Sequence, residues 1–130
     1  MLLNVNLDKI SDLDFKTKEE YKILRTNVQF CGDDVQIISI TSCVPNEGKS
    51  MVSFNLAVSL AEAEKKVLFI DADLRKSVLI GRYKINKAIK GLTQYLSGVE
   101  TLDNVKYTTN VPNLDMILSG PVPPNPAELL

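Results

Sequence analysis

The stretch TSCVPNEGKS, residues 41–50, decides how the rest of this chain is read. It lies between two apolar runs, QIISI at 36–40 and MVSFNLAVSLA at 51–61. QIISI is short, β-branched and apolar on both faces, which predicts a fully buried strand of a parallel sheet. From Ser50 to about Ala63 the chain is apolar nearly all round and lacks Gly and Pro, which predicts a mostly buried helix. Strand, loop and helix in that order are the setting of a G-x-x-x-x-G-K-[ST] phosphate loop. Its backbone N–H groups wrap an anion, and the helix N-terminus adds unpaired donors and about half a positive charge. On this reading Lys49 neutralises the β- and γ-phosphates of a nucleotide and the Ser50 hydroxyl binds Mg²⁺. Cys43 stands where the pattern has its first glycine, so the match is to Gly48, Lys49, Ser50 and their flanks. A solvated loop ending in a helix-capping serine is the plainer alternative.

A second stretch, VLFIDADLRK at 67–76, bears on the first. Val67 to Ile70 reads as a short buried strand, closed by Asp71 and Asp73. Two residues apart in extended chain, these carboxylates point the same way. They sit at the C-terminal end of a strand, where ligands bind in open parallel sheets. The connection from 36–40 through the helix is long enough for a right-handed crossover, which brings both acids to face the phosphate loop. Hard oxygen ligands suit Mg²⁺, directly or through water. One carboxylate can also accept a proton from an attacking hydroxyl. A polar loop after a strand is again the plainer alternative.

Composition sets outer bounds. The chain has 130 residues, 45% hydrophobic and 24% charged, as expected of one globular domain at most. Net charge is −1 with no basic block, which argues against nucleic acid as a partner. No apolar run reaches the ~18 residues of a membrane span. The start, MLLNVNLDKISDLDF, is too acidic for a signal peptide, so a cytoplasmic chain is expected. Cys31 and Cys43 lack metal spacing and are expected as reduced thiols. The absence of His excludes an imidazole base.

Residues 1–16 are read as an N-terminal arm and 17–130 as the first part of a phosphate-loop domain. TKEEYKILRTNVQF at 17–30 reads as a helix with Thr17 and Glu20 as a capping box. Tyr21, Leu24 and Val28 form its apolar stripe, and Glu19, Lys22, Arg25 and Gln29 a charged arc. Beyond Arg75, VLIGRYKIN is ambiguous, GLTQYLSGV reads as a short helix, and NLDMILSG as a third strand ending in a turn. In PVPPNPAELL, Asn125, Pro126 and Glu128 announce a helix that has one turn in which to form. Three strands and about three helices make a thin sheet, so the expected fold is an α/β, phosphate-loop NTPase-like parallel sheet with flanking helices, incomplete at the C-terminus.

These residues resemble the bacterial tyrosine kinases of capsule and exopolysaccharide synthesis, the BY-kinases. EEYKILRTNVQF is similar to the family's E-x-x-R-x-x-R helix followed by T-N, with Lys22 at the middle arginine. TSCVPNEGKS resembles its Walker A loop and VLFIDADLRK its Walker A′ motif. GLTQYLSG and LSGPVPPNPAELL are similar to later landmarks. The resemblance implies an ATP- and Mg²⁺-dependent protein tyrosine kinase of the split, cytoplasmic, Gram-positive form. Pro45, Asn46, Glu47, Gly48, Lys49, Ser50 and Met51 then bind nucleotide, Ser50, Asp71 and Asp73 hold metal, and Lys49, Asp71 and Asp73 serve the chemistry. It also implies contact between subunits of a ring homo-oligomer through Glu19, Lys22 and Arg25. Lys22 lacks the planar guanidinium fork, which weakens that contact. The implied partner is a membrane-bound activator of polysaccharide co-polymerase type, which brings the kinase to the membrane periphery.

The family's Walker B strand and C-terminal tyrosine cluster would fall after Leu130, so the resemblance implies a C-terminally truncated chain, weak or inactive alone. The four tyrosines, Tyr21, Tyr83, Tyr95 and Tyr107, are scattered, with Tyr83 and Tyr95 read as partly packed. Two other readings stay open. One is a nucleotide-binding or assembly module without chemistry. The other is a partition-type ATPase, whose loop carries a Lys near its start where this chain has Cys43, Val44 and Pro45.

Overall fold

The computed structural model describes residues 3–5, 14–32, 34–40, 49–73 and 90–121, with the single positions 124 and 128. Four strands form one sheet in the order β1 (Leu3–Val5), β3 (Lys106–Thr109), β4 (Leu114–Ile117), β2 (Val67–Ile70). The helices are α1 (Phe15–Gln29), α2 (Lys49–Glu62), α3 (Leu92–Leu96) and α4 (Leu102–Val105). β2 runs parallel to β4 with Val67 opposite Leu114, and β1 runs parallel to β3. β3 and β4 are antiparallel, so the sheet is mixed rather than all parallel.

The mixed pairing follows from a short turn. Only four residues, 110–113, join β3 to β4, far too few for a crossover. The Thr109 hydroxyl accepts the Val111 N–H (3.1 Å) and donates to the Leu114 carbonyl (2.8 Å), and Asn113 takes the left-handed conformation at φ 70°. β3 was not expected, although its YTT run is β-prone. The residues expected as a separable arm also reach the sheet, because Leu3–Val5 adds β1 beside β3.

One face of the sheet carries the core. Val67 and Phe69 of β2, Leu114 and Met116 of β4, and Tyr107 of β3 meet Phe54, Ala57, Val58 and Ala61 of α2. Phe54 and Met116 are wholly inaccessible, which fits the expected buried helix. On the opposite face Ile117 packs with Leu92, Val105 and Leu96 of α3 and α4. Leu68 and Ile70 share that face but are 44% and 48% exposed, so β2 is buried on one side and not both.

Residues 35–40 depart from expectation. They form no strand, and Ile37 is 89% exposed. A β-branched run becomes a strand by pairing and by packing against neighbours, and among the described residues none is paired with it. α1 is also differently built. Asp14, not Thr17, caps it, accepting the Thr17 N–H at 2.7 Å. Thr17, Glu19, Tyr21, Arg25 and Val28 are half-buried, and Leu24 is exposed. The expectations for VLIGRYKIN and for Asn125 and Pro126 lie outside the described residues, and Glu128 is helical.

Gly91 shows how tightly α3 is docked. A Cβ there would collide with the Leu118 carbonyl oxygen and the Gly120 amide nitrogen. Gly91→Ala is expected to destabilise the chain by about 1–3 kcal/mol through forced backbone movement. Phe54→Ala is expected to cost about 3–5 kcal/mol. Urea midpoints at constant slope check both.

Candidate functional site

Two pins fix the crossover from α2 to β2. At one end, Phe54 and Phe69 meet edge to face, with ring centroids 5.5 Å apart. At the other, Asn113 donates from Nδ2 to the Ala61 carbonyl (3.4 Å) and accepts the Val67 N–H on its own carbonyl (2.8 Å). Phe54 lies about one turn past the start of α2, and Phe69 lies two residues before Asp71. The helix start at Lys49 and Ser50 therefore comes to the same end of the sheet as Asp71 and Asp73. That is the carboxyl end of β2 and β4, where open α/β sheets bind ligands.

Asp71 is buried, 7% exposed, and its N–H donates to the Ile117 carbonyl at 2.9 Å, which extends the β2–β4 ladder one residue past the strand. Asp73 is half-buried, and its N–H donates to Asp71 Oδ1 at 3.2 Å. The chain thus turns back on the first carboxylate immediately after the strand. Met51 is half-buried against the core cluster. Pro45, Asn46, Glu47 and Gly48 lie outside the described residues, as do the side chains of Lys49 and Ser50.

The far side of this end is closed by α3. Leu92 and Thr93 donate their N–H groups to the Leu118 and Ser119 carbonyls at 2.7 and 3.1 Å. Gly91 donates to Gln94 Oε1 at 2.6 Å, and Gly120 holds φ at 80°, which suits glycine. Just before Gly91, the Lys90 carbonyl accepts the Tyr107 hydroxyl at 2.8 Å. Burial pushes the Tyr107 phenol above its usual pKa. No sequence signal links residues 17 apart in this way. Lys90 Nζ also reaches Glu100 at 2.7 Å, and Asn104 donates to the second Glu100 oxygen at 3.0 Å.

The three residues expected at a subunit contact separate. Lys22 Nζ donates to Glu19 Oε1 at 3.0 Å, at the surface. Arg25 instead turns toward α2, where Nη1 donates to the Ser59 carbonyl at 2.9 Å and to its hydroxyl at 3.3 Å. Of the tyrosines, Tyr95 is 42% exposed, more open than its apolar neighbours suggested, and Tyr107 is buried.

A sequence profile of the AAA domain matches residues 35–121. The chain belongs to the AAA domain family. Its relatives include Tyrosine-protein kinase CpsD of Streptococcus agalactiae, 51% identical over 115 residues that cover 88% of this chain and 50% of that protein. Tyrosine-protein kinase YwqD of Bacillus subtilis (strain 168) is 44% identical over 114 residues, 86% of this chain and 48% of that one. Among solved structures, the kinase domain of Escherichia coli tyrosine kinase ETK superposes with a TM-score of 0.80 at 38% identity, covering 87% of this chain and 45% of that one. The expected kinship with bacterial tyrosine kinases and the expected α/β phosphate-loop fold are both borne out. The chain spans about half the length of the curated relatives it matches. Among the described residues no helix is long and apolar enough to cross a membrane.

Glu100 offers a pH test of the site's flank. Its hydrogen bonds from Lys90 and Asn104 hold its carboxyl below the usual 4.5, and the same contact raises Lys90. A depressed carboxyl stabilises the fold fully above its unfolded pKa and loses that contribution as pH falls through the folded value. The Glu100 carboxyl carbon should therefore titrate below an ordinary glutamate by NMR, and Asn104→Ala should move it back up.

Proposed function

We propose that this chain carries the nucleotide-binding part of an ATP-dependent bacterial protein tyrosine kinase. What supports the reading is the pinned crossover, which brings the start of α2 and the end of β2 to one end of the sheet, in a chain 51% identical over 115 residues to a tyrosine-protein kinase. The backbone N–H groups entering α2 and residues 45–51 hold the phosphates, with Lys49 as the loop's cation. Ser50, Asp71 and Asp73 are hard oxygen donors that suit Mg²⁺, which keeps several waters and asks few protein ligands. When bound, that ion would neutralise charge on the phosphate oxygens. One of the two aspartates accepts the phenolic proton, since tyrosine's pKa of about 10 leaves it protonated near neutrality. The tyrosine oxygen then bonds to the γ-phosphorus as ADP leaves.

The same reading makes the protein an autokinase of capsular or exopolysaccharide synthesis. It works at the membrane periphery through a membrane-bound activator of co-polymerase type and assembles as a ring through the α1 arc of Glu19, Lys22 and Arg25. No nucleic acid is involved. The second reading is a nucleotide-binding or assembly module that does no chemistry.

Lys49→Met is expected to abolish Mg·ATP binding in isothermal titration, because the phosphates lose the loop's only cation. Unchanged affinity would show that the loop is no phosphate site. Incubation with labelled ATP and Mg²⁺, read with anti-phosphotyrosine, separates the two readings. The kinase reading expects phosphotyrosine on an added tyrosine substrate, falling about 10²- to 10⁴-fold in Asp71→Asn or Asp73→Asn. Nucleotide binding with no transfer selects the module.

A further inference from the structure

We propose that Tyr95 is a phosphate acceptor, modified by the kinase site of a second copy of this chain. The proposal rests on the kinase reading above for the donor, and on the surface of α3 for the acceptor.

A protein substrate of a tyrosine kinase has to offer a phenol that stands clear of its own fold. The described tyrosines differ on that count. Tyr107 is 4% exposed and donates its hydroxyl to the Lys90 carbonyl. Tyr21 is half-buried on α1. Tyr95 is 42% exposed, and none of the described residues hydrogen-bonds its hydroxyl. Phosphorylation of Tyr95 therefore breaks no hydrogen bond, whereas that of Tyr107 would strand the Lys90 carbonyl.

The surroundings of Tyr95 are both firm and open. Leu92 and Leu96 turn into the core beside Ile117, and the Leu92 and Thr93 N–H groups tie the start of α3 to the chain after β4. The far end of α3 closes in a Schellman turn. There the Gly98 N–H donates to the Tyr95 carbonyl at 3.1 Å and the Val99 N–H to the Gln94 carbonyl at 2.9 Å, with Gly98 at φ 82°. Tyr95, Ser97, Gly98 and Val99 are all exposed, and a Cβ added at Gly98 would meet nothing within 4 Å. The phenol thus stands on a fixed corner with room beside it for another protein's cleft. Because α3 is tied at both ends, the outward phenol meets a site that arrives from solvent, on a second copy. In the transfer the Tyr95 Oη bonds to the γ-phosphorus, and the bond from that phosphorus to the ADP oxygen breaks. The phenolic proton passes to Asp71 or Asp73 of the donor copy.

Phosphopeptide mapping of the whole chain after incubation with Mg·ATP tests the assignment. Phosphate is expected on Tyr95 and not on Tyr107. Tyr95→Phe should lose that phosphopeptide while transfer to an added tyrosine substrate is unchanged. A mass-tagged Lys49→Met chain, mixed with the unmodified chain, should acquire phosphate on Tyr95, because the donor is another copy. Phosphotyrosine elsewhere with Tyr95 unmodified overturns the proposal. So does a tagged chain that stays unmodified while its companion is phosphorylated. If neither the chain nor the added substrate is phosphorylated, the kinase reading fails and the donor with it, and the acceptor is decided separately. The chain is then offered to an active tyrosine kinase of relaxed specificity. Tyr95 modified with Tyr107 untouched supports the acceptor surface, and Tyr95 untouched overturns it.

Discussion

The edge-to-face contact of Phe54 with Phe69 is the point on which the rest of this structure turns. It joins the first turns of α2 to the last residues of β2 inside a core where Phe54, Met116 and Leu118 are wholly inaccessible. Such a pair adds about 0.5–1.5 kcal/mol beyond the burial of its rings, and its directionality matters as much as its strength. Sliding α2 by one residue would move its start by about 1.5 Å relative to Asp71 and break the ring geometry. The α2 N-terminus and the two carboxylates at the end of β2 are therefore set in relation by the apolar packing beneath them.

Polar contacts then close the same end of the sheet. The ladder continues past β2 through Asp71, and α3 is seated by hydrogen bonds from Leu92 and Thr93 to the Leu118 and Ser119 carbonyls just after β4. Two glycines, Gly91 and Gly120, allow backbones to approach where side chains could not fit. The Tyr107 hydroxyl reaches from the core to the Lys90 carbonyl and so ties α3's approach to the hairpin. Hydrophobic burial supplies most of the energy in this arrangement, and these directional bonds select one geometry from among those burial would permit.

Legibility in the sequence followed how local each decision was. The helix after the phosphate loop, the strand ending in Asp71, the short helix at GLTQYL and the strand at NLDMI all carry their period or composition within a few residues. The cap of α1 was misplaced because Asp14 and Thr17 both suit that role, and only the backbone at the helix start chooses between them. β3 was missed although YTT is β-prone, since a short strand becomes one by pairing with β4. QIISI has a strand's composition and does not form one, for the converse reason. Arg25 was read in the charged arc and, through the resemblance, at a subunit contact, and its Ser59 partner lies 34 residues away, beyond the reach of any local pattern.

The amino-acid sequence by itself determined the chemistry available here: a GKS loop end, two aspartates two residues apart after an apolar run, and no histidine. It also carried the kinship, because identity at about half of 115 positions reflects many residues at once. Only the tertiary structure decided that the sheet is mixed, that β2 is buried on one face, and that Arg25 points inward while Glu19 and Lys22 do not. The physical reason is the range of the forces involved. Caps, turns and periodicity act over three or four residues and are written along the chain. Strand pairing and the burial of a charged side chain depend on which distant backbone arrives beside them.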